Sequence, residues 1–351
     1  MSRPRCFLPP LALLGGVLAL SPAIRAEDTI PINDLIVHDP QILADEATHT
    51  YYLYGQYSPE RNWLKVRSPH GRAGVICYTS VDLEHWTQPQ VVFEVPENFW
   101  ADKQSAPWAP EVHAWKGKYY LFCTFNDWNT KLEERPGRPP ITKRAVQVLE
   151  GDSPTGPFRP FRNEPTTPPG EMTLDGSFYV DAAGAPWLLY AHEWIQITDG
   201  TFNAIRLKDD LSGTIGEPVV ILHAGEVPWT KRGISYKQQP EVPGIVTDGP
   251  SMYRMKSGRL AFFWASWSRD HLYAEAISYS DSGRITGPWR HGDSPVLQDD
   301  VGHGTVFRAF DGRLLLVIHK YFHQPATRVQ IYELTEHADA IMVKGRILGA
   351  P

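Results

Sequence analysis

One unit recurs five times along this chain, and that recurrence limits the open folds more than any other feature. Each copy starts with a short polar or glycine-bearing head, runs into a strand, turns, and returns as an aliphatic and aromatic strand. The first is His38-Asp39-Pro40-Gln41-Ile42 leading to Tyr51-Tyr52-Leu53-Tyr54. The second is Trp108-Ala109-Pro110-Glu111-Val112 leading to Tyr119-Tyr120-Leu121-Phe122, and the third Leu174-Asp175-Gly176-Ser177-Phe178 leading to Trp187-Leu188-Leu189-Tyr190. The fourth is Thr247-Asp248-Gly249-Pro250-Ser251 leading to Leu260-Ala261-Phe262-Phe263, and the fifth Gly302-His303-Gly304-Thr305-Val306 leading to Leu314-Leu315-Leu316-Val317.

With heads at 39, 109, 175, 248 and 303, the copies are spaced 70, 66, 73 and 55 residues apart. A charged or glycine-bearing turn joins the two strands of each copy, such as Lys116-Gly117-Lys118 or Asp311-Gly312, which is a hairpin signal. A third strand follows, for example Val75 to Ser80 or Ala276 to Ser280, and a less regular fourth after several turns, such as Gln90 to Phe93. Long amphipathic helical patterns are absent. Units of about four strands at this period predict an all-β fold, a five-bladed β-propeller. A stack of two β-sandwiches would have no reason to repeat one unit five times. The 31 Pro and 28 Gly are scattered as turn formers, and 42% hydrophobic residues suffice for a sizeable core.

The first 26 residues read as a signal peptide. Arg3 and Arg5 precede a short apolar run from Leu8 to Leu20, followed by small residues up to Ala26. The run is short for a membrane span. The expectation is one propeller domain over residues 27–351, secreted or periplasmic, with no membrane association after cleavage. Net charge is −6 and no basic tract occurs, so nucleic acid is not expected as a partner. Cys77 and Cys123 would remain after cleavage, as buried thiols or, since export permits it, as a disulfide.

In a propeller the first strand of each blade lines the central channel, so the five heads form a ring: Asp39, Ala109, Asp175, Asp248 and His303. Carboxyl groups brought together raise one another's pKa, and such a cluster, with an imidazole beside it, needs a chemical reason. General acid–base catalysis is one reason. A cation on the channel axis is another.

The five heads in this order, with Gly117-Lys118-Tyr119-Tyr120-Leu121 and Gly302-His303-Gly304, resemble glycoside hydrolase family 43 across about Ile32 to Leu334. The resemblance implies an inverting hydrolase acting on arabinose-, xylose- or galactose-containing polysaccharide or oligosaccharide, arabinofuranosidase- or xylosidase-like. It implies that Asp39 is the general base and that Asp175 tunes and orients the acid. An inverting site places two carboxyl groups about 6.5–9.5 Å apart around a water. The acid itself departs from the family pattern. Glu-Gly-Pro is usual at the fourth head, and this chain has Asp248-Gly249-Pro250. Two donors therefore stay open: Asp248, by position, and Glu193 in His192-Glu193-Trp194, by reach. The altered head also leaves room for a catalytically silent carbohydrate-binding propeller.

Around these, Trp108 and Trp194 are expected to stack on sugar, together with some of Trp100, Trp128 and Trp267. Glu111 either binds sugar hydroxyls or pairs with Lys118. His303 is expected to contact substrate or to serve as a metal ligand. No cofactor is required for the chemistry, and calcium is the candidate axial cation, although it prefers oxygen ligands.

Overall fold

The computed structural model describes residues 29–235 and 241–351; the expected signal segment lies outside the described residues. Five antiparallel sheets follow one another along the chain, each a blade of a five-bladed β-propeller. Blade I is built from Gln41–Asp45, Thr50–Tyr57, Gly74–Ser80 and Gln90–Glu94. Blade II holds Trp108–Trp115, Lys118–Glu133, Ile141–Gly151 and the short Arg159–Pro160. Blade III holds Thr173–Val180, Pro186–His192, Thr201–Leu207 and Thr214–His223. In blade IV, Asp248–Arg254, Leu260–Trp267 and Tyr273–Ser280 are edged by two short strands, Trp289–Arg290 and Leu297–Gln298. Blade V runs Val301–Arg308, Leu314–Lys320, Arg328–Glu336 and Ile341–Gly349. That last strand lacks a clear sequence signal, because its outward residues alternate with only partly buried ones.

The core is divided among the seams between blades. Tyr54, Val75 and Cys77 of blade I pack on Val112, Leu121 and Cys123 of blade II. Blades II and III meet through Phe122, Val148, Leu188 and Ile205. Phe202 of blade III meets Phe262 and Trp264 of blade IV, and Phe263 of blade IV meets Leu316 of blade V. The ring closes where Leu53 and Tyr51 of blade I meet Leu315, Val317 and Ile331 of blade V. Each fully buried aliphatic or aromatic side chain contributes about 1.5–3 kcal/mol. Cys77 and Cys123 lie in the first of these seams as free buried thiols; the disulfide that export would permit is not formed.

The heads share one backbone device. Asp39, Ala109, Asp175, Gly249 and His303 all have left-handed backbone, with φ of 54°, 43°, 55°, 63° and 58°. In blades II to V the first strand slips by a β-bulge at this point, between Trp108 and Glu111, Leu174 and Ser177, Asp248 and Ser251, and Gly302 and Thr305. This corrects the register read from sequence. The fourth member of the ring is Gly249, and Asp248 sits one place earlier, beside His38, Trp108, Leu174 and Gly302. Aligning acid with acid put Asp248 in a position whose backbone favours glycine.

A bulge frees backbone N–H groups that must find partners. Here a side chain from the preceding blade supplies the acceptor. Gln41 exchanges hydrogen bonds with Val112, its Oε1 accepting from the backbone N–H at 3.1 Å. Thr124 Oγ1 accepts from Asp175 at 2.7 Å, Asp175 Oδ2 from Gly249 at 3.1 Å, and Glu275 Oε2 from Gly304 at 3.0 Å. His319 Nδ1 accepts from Asp39 at 3.2 Å and completes the circuit from blade V to blade I.

Gly249 tests this account. A Cβ there would lie 2.8 Å from His303 Cγ and 2.9 Å from its Cα, on a left-handed backbone. Gly184, also left-handed at φ 78°, has nothing within 4 Å. Gly249→Ala is expected to cost about 2–4 kcal/mol and Gly184→Ala about 1–2 kcal/mol in chemical denaturation. Equal losses would refute the packing argument.

Candidate active site

Asp39, the first head, is buried at the blade I–V seam among three imidazoles. His38 Nδ1 lies 2.8 Å from Asp39 Oδ1, His303 Nδ1 3.1 Å and His319 Nδ1 3.5 Å. Since His319 Nδ1 accepts the Asp39 N–H, its own proton belongs on Nε2. Burial by itself would raise the Asp39 pKa. The neighbouring His303 and His38 outweigh it and hold this carboxyl well below the ordinary range.

The other two carboxyl groups go the opposite way. Asp175 is buried, and burial followed by the nearby Asp248 and Asp39 pushes its pKa well up, against the opposing Gly249 N–H. Asp248 rises to about 8, through burial first and the charge of Glu193 second. The Tyr273 hydroxyl, donating to Asp248 Oδ2 at 3.0 Å, opposes that rise. Asp39 is thus shifted towards the ionised form, and Asp175 and Asp248 towards the protonated form.

Asp39, Asp175 and Asp248 line a cavity of about 340 Å³, with His303 and Trp108 also in its wall. A second cavity of about 520 Å³ adjoins it and shares Asp248 and Trp108. Its wall includes Glu193, Arg144, Trp128, Trp194 and Trp267. Glu193 precedes the short helix Trp194–Ile197 and forms a buried ion pair with Arg144. Arg144 also donates through Nε to Asn126 Oδ1 at 2.6 Å. Its guanidinium lies over the rings of Trp108 and Trp128, 4.4 and 5.2 Å from their centroids.

Most residues singled out from sequence come together here, but not all in the expected way. Trp108, Trp128, Trp194 and Trp267 reach the cavities. Trp100 instead packs on Phe99 and Phe125 and donates to Gln147 Oε1 at 2.6 Å. Glu111 is not in either cavity wall. It accepts from Ser177 Oγ and meets His113 Nε2, both at 2.7 Å, as a strut between blades II and III. Lys118, its other expected partner, pairs with Glu150 at 2.7 Å. Strand alternation past the bulge turns Glu111 towards the neighbouring blade.

His303 faces Asp39 and, at 3.8 Å, Asp175. The set around Asp39 does not suit calcium: the nearest side-chain atoms to its carboxyl are imidazole nitrogens, and calcium takes six to eight oxygens. Among the described residues, the metal-ligand cluster within 4.8 Å is His38, Asp39 and His319, without His303.

Several residues of the site had escaped the sequence reading. Tyr273 comes from the third strand of blade IV, and Arg61 reaches the Asp39 cavity from the loop after Thr50–Tyr57. Burial lowers the Arg61 pKa to about 10, against the pull of Asp39. His319 did carry a signal. It pairs with Gly302 as Thr124 pairs with Trp108, and both accept the N–H of the following head.

Breaking the Glu193–Arg144 pair strands a buried cation. Glu193→Leu is expected to lose about 3–5 kcal/mol of stability in denaturant, and the double variant Glu193→Leu/Arg144→Met to recover at least half. A double variant as unstable as the sum of its parts would show that the pair is not coupled.

Known proteins agree with this architecture. A curated relative, xylosidase/arabinosidase 43A from Humicola insolens, is 29% identical over 161 residues, 43% of this chain. The match spans 44% of the length of that relative. An endo-arabinase structure from Bacteroides thetaiotaomicron VPI-5482 is 36% identical, with a TM-score of 0.76, covering 89% of this chain and 98% of that one. An endo-1,4-beta-xylanase structure from the same organism shares the fold, at 20% identity and a TM-score of 0.66, covering 92% of this chain and 99% of that one. The description "Glycosyl hydrolases family 43" matches residues 29–339, and with the five blades and their ring of heads in place, the chain belongs to that family.

Proposed function

We propose that this protein is an inverting glycosidase acting on polysaccharide or oligosaccharide that contains arabinose, xylose or galactose, arabinofuranosidase- or xylosidase-like. The observation that carries this reading is that Asp39 and Asp248 line one cavity in opposite company, Asp39 against the His38 and His303 imidazoles and Asp248 against the Tyr273 hydroxyl near Glu193, so that their pKa values move apart, down for Asp39 and up to about 8 for Asp248. General base and general acid need this separation. The 36% identity to an endo-arabinase and the match to a xylosidase/arabinosidase support the sugar class.

Asp39 takes a proton from water as that water attacks the anomeric carbon. His38 and His303, each with Nδ1 close to Asp39 Oδ1, favour its ionised form, and His319, accepting its backbone N–H, fixes its place. Asp248 gives its proton to the departing oxygen, and Tyr273 orients the carboxyl. Asp175, tied to the Gly249 N–H, holds the backbone next to Asp248 in place. Glu193, ion-paired with Arg144, supplies the charge that keeps Asp248 protonated. Glu193 has one favourable feature as an alternative donor: it is longer and lies in the cavity that Asp248 shares.

Proton NMR of the first product anomer tests the mechanism; retention would exclude it. Asp39→Asn is expected to lower kcat at least a thousandfold. Asp248→Asn should do the same on sugar leaving groups, yet spare dinitrophenyl glycosides, which leave without a proton, and lose the decline in activity above about pH 8. If Glu193→Gln shows that pattern instead, the donor role passes to Glu193.

Export is the second part of the proposal, supported by Arg3, Arg5 and the apolar run from Leu8 to Leu20. Among the described residues no helix is long and apolar enough to cross a membrane. The mature protein, sequenced from its N-terminus, is expected to begin at Glu27; an intact N-terminus would refute export with cleavage.

A further inference from the structure

The two cavities meet at Asp248 and differ in what they offer. The first holds Asp39, and attacking water must come from that side. A group displaced in line departs away from Asp39, across Asp248, into the second. That cavity is walled by an extension of blade II: the hairpin Lys118–Glu133 and Ile141–Gly151, whose strands are longer than those of the other blades. The hairpin is tied across to blade III. Arg135 donates to the Ile195 carbonyl, and Arg138 Nη1 to Thr198 Oγ1 at 3.4 Å.

We infer that this second cavity is a subsite for a neutral pyranosyl leaving group, seated on the face of Trp128. The inference rests on the hydrolase reading above, but not on which carboxyl is the donor, since Asp248 and Glu193 both line this cavity. Trp128 keeps 37% of its surface exposed, a large amount for an indole beside a cavity. Its N–H is already used, donating to Ser105 Oγ at 2.9 Å, and Arg144 lies over its ring at 5.2 Å from the centroid, so what it presents to a ligand is the ring surface that Arg144 leaves open. The chair of a pyranose puts several axial C–H bonds on one flat face, which suits stacking on a broad aromatic ring. A puckered furanose offers less. The charged groups indicate a neutral ligand: Arg144 is paired with Glu193, and Lys231 with Glu241 at 3.1 Å.

The test uses the full chain and donors that share whichever sugar a screen shows to be accepted. One is the glycosyl fluoride, whose leaving atom is too small to fill this cavity. The others carry the same sugar on β-1,4-xylotriose or on α-1,5-arabinotriose. Trp128→Ala is expected to lower the ratio of kcat/KM for the xylotriose donor to that for the fluoride at least tenfold, mainly through KM. Trp128→Phe, which keeps a flat ring, should restore most of it. An unchanged ratio, or equal losses on both donors, would overturn the subsite. Faster turnover of the arabinotriose donor than of the xylotriose donor would overturn the pyranosyl class. If the wild-type chain turns over no donor at all, the hydrolase reading itself fails.

Discussion

The rest of this structure depends on a backbone N–H that its own strand cannot satisfy. At each head the first strand of the blade turns through a left-handed residue, and the freed donor is met by a side chain from the blade before it. Left-handed backbone costs about 1–2 kcal/mol for a residue with a Cβ. Four of the five heads carry one. The cost is sustained because the same turn aims Asp39, Asp175 and His303 at the channel. Asp175 shows how closely support and chemistry are joined: its carboxyl is both the acceptor that fixes Gly249 and a member of the site. Glu275 does the first task only. Burial pushes its pKa well up against the opposing N–H groups of Gly304 and His303, and its carboxyl braces the fifth head from behind.

Burial alone would push Asp39, Asp175 and Asp248 alike towards the protonated form. What distinguishes them is the company each keeps. Asp39 has imidazoles on three sides, Asp175 has other carboxyl groups, and Asp248 has Glu193 on one side and a tyrosine hydroxyl on the other. Opposite shifts in a shared cavity thus arise in residues of a single chemical type, set apart by their neighbours.

Much of this was legible in the sequence. The fivefold unit gave the architecture, because heads and hairpins recur at a regular spacing, and Asp39 and Asp175 stood out as acids in equivalent places. The fourth head was misplaced by one residue because acids were aligned with acids, whereas the backbone there favours glycine at 249. Glu111 misled for a related reason: it follows the bulge, so its direction depends on a slip invisible in the chain. The proton donor could not be chosen from sequence, since Arg144, which pairs with Glu193, comes from an insertion 49 residues away. Tyr273 and Arg61 belong to a third strand and a loop, where no repeat directs attention.

Ring closure has a consequence for the site. Blades I and V are each a continuous stretch of chain, so no strand is shared across their seam. Apolar packing and a few bonds hold it, among them Thr305 Oγ1 to the Pro40 carbonyl at 3.2 Å and the Phe310 N–H to the Tyr51 hydroxyl at 2.9 Å. Parting the seam would break no sheet. It would, however, draw Asp39 on blade I away from two partners on blade V, His303 at 3.1 Å from its carboxyl and His319, which accepts its backbone N–H. The electrostatic setting of Asp39 is therefore a local gauge of whether the ring is shut.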